Sequence, residues 1–572
     1  MQQFFEEEMI IDKDVRIPLR DGSIVVANVF RPRGNGPWPV IVNYSPYGKD
    51  VHFSEFMPTV WSQLTEALAA SGSTSTLRHV TFETPDPEVW TQLGYAIVRV
   101  DSRGAGKSPG ILQPNSPQEF LDACDAVEWA GTAPWSNGKV GLLGISYYAS
   151  GQWMIAQHRP QHLAAIQPWQ GTSDFYRDRT RQGGIVSGGF LDLWWNLCVA
   201  ENQHGNGSSR FTDYFTGERN TGPEMSIEEL ASQRIEYIDE ILSHPLEDSW
   251  YKARNADLQK IETPALVVAN WGGLQVHLRG TLLGFEGISS PQKWLRIQRG
   301  NYFLTFYMPE NVNIQRRFFD RYLKGIESEW VDEPAVQVAI RSADDGIADI
   351  VNATEWPLPT STERTWFLDA DTGTLSSDAP VADHKVSFAA RTGSAVFSTG
   401  PLQEGLTLAG TMWLQLRLAS TTEDADIFAT LQAFDTEGME ISFESNGDPN
   451  SSMARAPLSQ GWLRASHRRI DQTRSGFLRP FHDHEEHQAL NPGESVDLAI
   501  EIWPASIELP PGSELRLTVG GNDFVRSELG IGNMGHDHPT DRPSPKFDGT
   551  YTLSTGPVAK SFLAVPTLDR VQ

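Results

Sequence analysis

The sequence predicts a doubly wound α/β sheet with an inserted helical cap, followed by an all-β jelly-roll domain. Three observations carry this. Short apolar runs alternate with helical segments through residues 1–173 and again through 259–333, as in a sheet wrapped by helices. Between them, residues 174–258 are rich in Tyr, Trp, Arg and Gly and show helical stretches at 226–241, which reads as a cap over the carboxyl edge of the sheet. From about 335 the helical period disappears and alternating segments separated by Gly and Pro turns take over, so 334–572 reads as a β-sandwich of jelly-roll type.

The elements follow in order. Val15, Ile17 and Leu19, a turn at Asp21-Gly22, then Ile24, Val26 and Asn28 give a β-hairpin over residues 10–31. Pro39–Tyr44, Tyr95–Val100, Ala164–Gln167 and Ala265–Ala269 are short apolar runs of the kind buried on both faces of a parallel sheet. Ser116-Pro117 with Glu119 in the first turn starts a helix over 117–130. A second helix spans 311–324 and ends the sheet domain. In the last domain the alternating segments are Gln337–Ile340, Thr365–Leu368, Thr411–Leu418 and Leu515–Val519.

The segment with the most chemistry is Lys139-Val-Gly-Leu-Leu-Gly-Ile-Ser-Tyr-Tyr-Ala149. An apolar strand ends at Gly144, Ser146 follows one residue later, and a helix continues. This strand, sharp turn and helix raise a nucleophilic serine above an α/β sheet. Tyr148 stands where a second glycine is usual, and the small residue falls one place later, at Ala149. A serine hydroxyl is a weak nucleophile until a base takes its proton, so a histidine and an acid must be sought.

Composition narrows the partners. The chain has 572 residues, is 39% hydrophobic and carries a net charge of −27. Such an acidic chain repels nucleic acid and anionic membranes, which leaves a small-molecule substrate as the expected partner. Two cysteines, Cys124 and Cys198, make no disulfide framework and no zinc motif. They read as reduced thiols in a cytoplasmic protein. The N-terminus is acidic where a signal peptide is basic. A homodimer is the default expectation for an enzyme of this size. No cofactor motif is present: Gly104-Ala-Gly106 lacks the third glycine of a dinucleotide-binding turn. His482-Asp-His484-Glu-Glu-His487 has a metal-like look but reads better as an exposed or interface loop.

Several motifs together resemble the cocaine-esterase and X-prolyl dipeptidyl-peptidase group, the CocE/NonD-like hydrolases. They are Ser45-Pro-Tyr-Gly-Lys49, Val100-Asp-Ser-Arg-Gly-Ala-Gly-Lys-Ser-Pro-Gly110, Gly144-Ile-Ser-Tyr-Tyr-Ala149, Arg317–Gly325, Glu501-Ile-Trp-Pro504 and His536-Asp-His-Pro-Thr-Asp541. The resemblance spans nearly the whole chain. It implies an α/β-hydrolase domain, a helical cap and a C-terminal jelly roll. It also implies Ser146 as nucleophile and an oxyanion hole made by Tyr47 and the backbone N–H of Tyr147.

The departures from that pattern bear on function. Where related chains carry the acid, this one has Asn270-Trp-Gly-Gly273, with glycine at the acid position. The following strand and loop, Trp294 to Tyr307, hold no histidine, and its slots carry Gln298, Tyr302 and Thr305. No histidine occurs from 278 to 383. His277 is the nearest candidate base, and its other reading is a structural residue on the helix after the loop. His52 and His79 lie in loops that could reach the site. Asp101, Arg103 and Ser108 read as a structural network behind it. Trp169, Phe175, Tyr176, Trp194, Trp195, Phe303, Phe306 and Tyr307 fall where cap and site loops should meet, and of these Trp169, Trp194, Trp195, Phe303, Phe306 and Tyr307 are the candidate lining of an apolar pocket.

Three functions follow. The first expectation is an enzyme with a degenerate triad that performs non-hydrolytic chemistry in specialised metabolism: cyclisation, isomerisation, elimination or condensation. It would use the oxyanion hole with Ser146 and Tyr302 on a carbonyl-containing small molecule. The second is an ester, lactone or amide hydrolase or acyltransferase whose base is displaced, with His277 in that role. The third is a non-catalytic binding protein.

Overall fold

The computed structural model describes residues 1–6, 8–274, 276–327, 329–445, 455–525 and 535–568. The chain opens on antiparallel strands β1 (Gln2–Phe5), β2 (Met9–Pro18) and β3 (Ile24–Pro32). The β2–β3 pair is the expected hairpin, turned at Gly22 with φ +85°. Then come β4 (Trp38–Ser45), β5 (Ala96–Asp101), β6 (Ser136–Ile145) and β7 (Leu163–Trp169). A two-stranded ribbon in the cap, β8 (Arg181–Gln182) with β9 (Ile185–Val186), stands apart from the sheet. The sheet resumes with β10 (Ala265–Asn270), β11 (Lys293–Gln298), β12 (Val336–Arg341) and β13 (Ile347–Ala353).

The strand order is β1-β2-β3-β5-β4-β6-β7-β10-β11-β12-β13, parallel from β5 to β12. β5 and β10 are buried at every residue, which is why their sequences are mainly apolar rather than alternating, with the polar Arg99, Asp101 and Asn270 also buried. The sheet separates two apolar layers. One side holds Val127, Trp153 and Leu282, and the other holds Phe30, Trp90, Trp194 and Phe303. Helix Pro117–Thr132 begins as expected, with the Ser116 side chain accepting from the Glu119 N–H and Pro117 at its first position. Helix Pro309–Phe319 runs on through a wider turn at Asp320–Lys324.

Adjacent strands β4, β6, β7 and β10 end side by side, so the segments after Ser45, Ile145, Trp169 and Asn270 meet at one edge. That edge is where an open α/β sheet presents ligand-binding residues. The cap lies over it. Its expected helical stretch resolves into two short helices, Ile227–Ser232 and Tyr237–Ser243. The first starts with a capping box between Ser226 and Glu229.

The sheet that residues 337–340 join is not the one their alternating pattern suggests. Their strand β12 and its partner β13 extend the first sheet, and the chain enters the second sheet at Ser361. Strand alternation does not say which sheet a strand joins, so this pairing is not visible in the pattern. The second sheet has 12 strands among the described residues. Its long strands Leu406–Ser420 and Ser495–Leu509 pair antiparallel along their length. Phe562–Leu568 pairs with both Ser361–Asp369 and Leu406–Ser420, which closes the sheet on itself around Leu408, Met412, Leu414 and Leu563. The expected segments 365–368, 411–418 and 515–519 all lie in strands of this sheet.

Arg279 joins the three parts. From the helix Leu278–Gly287 it donates to Asp178 of the cap (2.7 Å) and Glu501 of the β domain (2.9 Å). Among the described residues no helix is long and apolar enough to cross a membrane. Cys124 and Cys198 are free thiols.

Candidate active site

Ser146 joins β6 to helix Tyr147–Ala156 with φ +55° and ψ −109°. A non-glycine residue in that region costs on the order of 1–3 kcal/mol and persists where surrounding contacts impose it. The contacts are present. The Ser146 N–H donates to the Trp169 carbonyl at 3.0 Å, and a Cβ on Gly144 would lie 2.6 Å from the Tyr148 Cβ. Tyr148 fits in place of the usual glycine because its hydroxyl accepts from Ser45 Oγ at 2.6 Å. Ala149 matches the small-residue requirement, since Gly171 packs against its backbone.

His277 reaches the serine. Its Nε2 lies 2.9 Å from Ser146 Oγ. The imidazole arrives from the end of β10, through the turn Trp271–Gly273, and not from the loop after β11. The loop after β11 lacks a histidine, as its sequence shows, and His277, the candidate base nearest in sequence, stands beside the serine. Gln298 instead hydrogen-bonds Asn311 (2.6 Å), and the Thr305 hydroxyl donates to the Tyr302 carbonyl (3.4 Å). His277 Nδ1 is buried without a hydrogen-bond partner, consistent with glycine at the acid position. Burial and the nearby Arg179 cation push the imidazole down to about 3, so it stays neutral.

The rings of Tyr47 and Tyr147, the latter next to Ser146 in sequence, lie 5.6 Å apart. Trp194 Nε1 donates to the Tyr47 hydroxyl oxygen at 2.9 Å, which leaves the phenol's own hydrogen free to be donated. The Tyr147 hydroxyl points away and donates to Glu119 (2.6 Å), so this residue offers the site its backbone N–H. Tyr302 stands edge-on to His277, with ring centroids 5.3 Å apart.

A residue missed by sequence reasoning lies beside these groups. Glu83 is buried with φ +63°, and its carbonyl accepts from the Ile145 N–H at 3.2 Å. Its carboxyl is in hydrogen-bonding reach of the Ser146 hydroxyl and the Tyr147 N–H, while Oε2 has no partner. Burial raises its pKa well above the usual carboxylate range. Thr81-Phe-Glu-Thr-Pro85 carries no motif, so nothing in the sequence marked it. The Tyr307 hydroxyl anchors that turn by donating to the Thr84 carbonyl (2.9 Å).

The remaining aromatic candidates divide. Trp169 ends β7 beside the elbow and meets Phe306 edge-on at 5.2 Å. Trp194 stacks on Tyr147. Trp195 stacks on Tyr237, and Phe303 packs on Tyr302 and Phe82, one layer out. Phe175 and Tyr176 pack on Tyr251 within the cap. His52 bonds Ser54 and the Leu77 carbonyl, and His79 bonds Glu6 and Tyr214, so neither attends Ser146. Asp101 accepts from the Lys107 N–H, and Ser108 links its carbonyl to Val26, a support behind the site. His482 and His484 are buried, not exposed, where the β domain meets the cap, and His484 Nδ1 lies 3.0 Å from His467 Nδ1. Arg177 and Arg279 beside them place positive charge where a cation would have to bind. His487 pairs with Asp424. Among the described residues no group of three or more His, Cys, Asp or Glu is arranged to hold a metal ion.

Comparison with known proteins agrees with this architecture. Residues 21–303 match the X-Pro dipeptidyl-peptidase (S15 family) model, and residues 328–563 match the X-Pro dipeptidyl-peptidase C-terminal non-catalytic domain. The cocaine esterase of Rhodococcus sp. (strain MB1 Bresler) is 23% identical over 98% of this chain and 99% of its own length. An aminopeptidase from a marine sediment Thaumarchaeota archaeon shares the fold at TM-score 0.72 and 16% identity, covering 100% of this chain and 98% of its own. The crystal structure of a CocE/NonD family hydrolase from Staphylococcus aureus superposes at TM-score 0.84 with 30% identity, covering 98% of this chain and 94% of its own. With the fold shared along 98% of the chain and both domains matched, this chain belongs to the CocE/NonD family of α/β-hydrolase-fold enzymes.

Proposed function

We propose that this protein is a serine ester, lactone or amide hydrolase, or an acyltransferase, acting on a carbonyl-containing small molecule. The observation that carries the reading is the 2.9 Å contact between Ser146 Oγ and His277 Nε2. It reverses the order in which the sequence ranked hydrolytic and non-hydrolytic chemistry. As Oγ bonds to the substrate carbonyl carbon, Nε2 takes the hydroxyl proton. The carbonyl oxygen gathers negative charge and is held by the Tyr147 N–H and the Tyr47 hydroxyl. Nε2 then returns its proton to the leaving oxygen or nitrogen as that bond breaks. Water or an acceptor alcohol or amine repeats the sequence on the acyl-serine. Glu83, kept protonated by burial, donates to the serine oxygen or to the developing oxyanion rather than competing for the proton. The pattern is of two titratable groups whose environments push them apart, His277 down and Glu83 up.

Trapping tests this. A slowly deacylating p-nitrophenyl ester should leave an acyl adduct on the peptide containing Ser146, and Ser146→Ala should leave none. Turnover with no adduct, unchanged in Ser146→Ala, would contradict it.

A second reading, non-hydrolytic carbonyl chemistry, is favoured by one observation: His277 Nδ1 has no acid partner. A neutral imidazole and a protonated carboxyl can polarise a carbonyl without covalent bonding. Under that reading Ser146→Ala lowers the rate only modestly.

A further inference from the structure

Three arginines alternate through the cap segment Arg177-Asp-Arg-Thr-Arg181, and all three are buried. Two are neutralised by carboxylates. Arg177 pairs with Asp174 at 2.7 Å and Glu247 at 2.5 Å, and Arg181 pairs with Asp541 at 2.8 Å. Arg179 is different. Among the described residues no carboxylate forms an ion pair with it, and its Nε and Nη2 are buried without a hydrogen-bond partner. It is only 2% exposed. Its guanidinium lies 4.2 Å over the Trp194 ring, the same indole that donates to the Tyr47 hydroxyl, and 6.0 Å over the Tyr147 ring. Tyr237 takes one of its hydrogen bonds. A guanidinium does not deprotonate, and a buried cation without its counter-charge is costly. The rings offset part of that cost through their π faces. Two parallel donors remain, in the fork that fits a planar anion.

We propose that Arg179 is the binding site for a substrate carboxylate, so that the preferred substrates are esters, lactones or amides bearing a free acid group near the scissile carbonyl. The proposal rests on the site reading above and names its substrate class. The placement supports it. The positive charge registers on His277, Glu83 and Tyr47, the groups around Ser146, so an anion held there lies beside the reacting carbonyl. Glu83 is the acidic side chain that feels Arg179 within the site, yet its burial keeps it in the neutral form, so it does not replace the missing anion. A bound carboxylate has a further consequence. Burial is the main cause of the low basicity of His277 and the Arg179 charge adds to it, so a carboxylate that neutralises Arg179 removes the smaller part and strengthens the base that activates Ser146 in that measure.

The test compares p-nitrophenyl monoesters of succinic, glutaric and adipic acids with the neutral butyrate, valerate and hexanoate esters. The wild-type enzyme should favour at least one half-acid ester over its neutral counterpart by about 30-fold or more in kcat/KM. In Arg179→Met that ratio should fall to one or below, and in Arg179→Lys, which keeps the charge without the fork, it should fall part of the way. Equal or lower rates for every half-acid ester in the wild type, with Ser146 labelled by a fluorophosphonate, would overturn the proposal and leave the serine-hydrolase reading standing. The wild-type comparison holds even where a variant fails to fold. If the wild type is folded, unlabelled and inactive on every ester, the hydrolase reading fails. Calorimetric titration of valerate and hexanoate against their primary amides then decides Arg179 alone. Binding of the acids only, lost in Arg179→Met, supports the carboxylate site, and no difference between acid and amide overturns it.

Discussion

His277 meets Ser146 at 2.9 Å from the end of β10, the neighbour of β7, and not from β11 beyond it. The imidazole is buried and held near a pKa of about 3 by desolvation and by Arg179. A base works only when neutral, and a depressed pKa keeps it neutral in acid. Pre-steady-state acylation should therefore lose no rate as pH falls through 6.5, and decline only as it nears the folded value. Rates measured from about pH 8 down to pH 4.5 check this. An acid limb centred near 6.5 would show an ordinary, unshifted imidazole.

Glu83 gives a second prediction, in two parts. Gln keeps a neutral donor at this position, so Glu83→Gln should retain activity within about tenfold, whereas Glu83→Ala should lose on the order of 100-fold. The stability effect has a definite sign. A carboxyl whose folded pKa is raised contributes stability below its unfolded value of about 4.5, and that contribution is lost as pH rises toward the folded value. Glu83→Gln should thus gain stability over wild type as pH rises, by up to about 1.4 kcal/mol per pH unit in that window. Denaturant melts at pH 5 and pH 8 measure it. An equal difference at both would mean that Glu83 is not held protonated.

The histidines at the domain junction make acid a structural threat. His467 and His482 are pushed down to about 3 and His484 well below 6.5, by burial and by Arg464 and Arg177. For a histidine with a lowered folded pKa, the unfolded chain binds protons first. The stability is complete above about 6.5 and is lost as pH falls toward 3. Wild type should destabilise steeply below pH 6.5, and His482→Gln should show a shallower slope by about one proton. Proton uptake on unfolding near pH 5 reads this directly.

Arg279 ties the helix that begins after His277 to Asp178 in the cap and Glu501 in the β domain. Removing one member of a buried ionic set leaves the others uncompensated, at about 3–5 kcal/mol. Arg279→Met should lower the thermal midpoint and slow acylation together, because His277 is the residue from which that helix starts. A variant with unchanged melting and activity would show that the bridge does not position His277.

Much of this architecture was legible in the sequence, for physical reasons. The β5 and β10 runs are predominantly apolar because both faces are covered, and the Gly144-Ile-Ser146 elbow is visible because Tyr148 leaves no space for a Cβ at 144. The base was harder to read because its position depends on a backbone approach. A Cβ on Gly272 would fall 2.5 Å from the Gly300 carbonyl oxygen, and one on Gly273 2.5 Å from the Gln170 amide. Those two glycines let the chain after β10 press against the neighbouring loops and bring His277 back over Ser146. Glu83 and Arg179 were unreadable for a related reason. Each comes from a loop or cap segment without a period, and each takes its meaning from burial beside groups remote in the chain.

The central claim is that His277 activates Ser146. It is tested most directly by treating wild type and His277→Ala with a fluorophosphonate and reading intact mass and the labelled peptide. The account predicts stoichiometric labelling at Ser146 in the wild type and a rate slower by roughly 100-fold or more in His277→Ala. No labelling of folded wild type, or equal labelling of both, would contradict it.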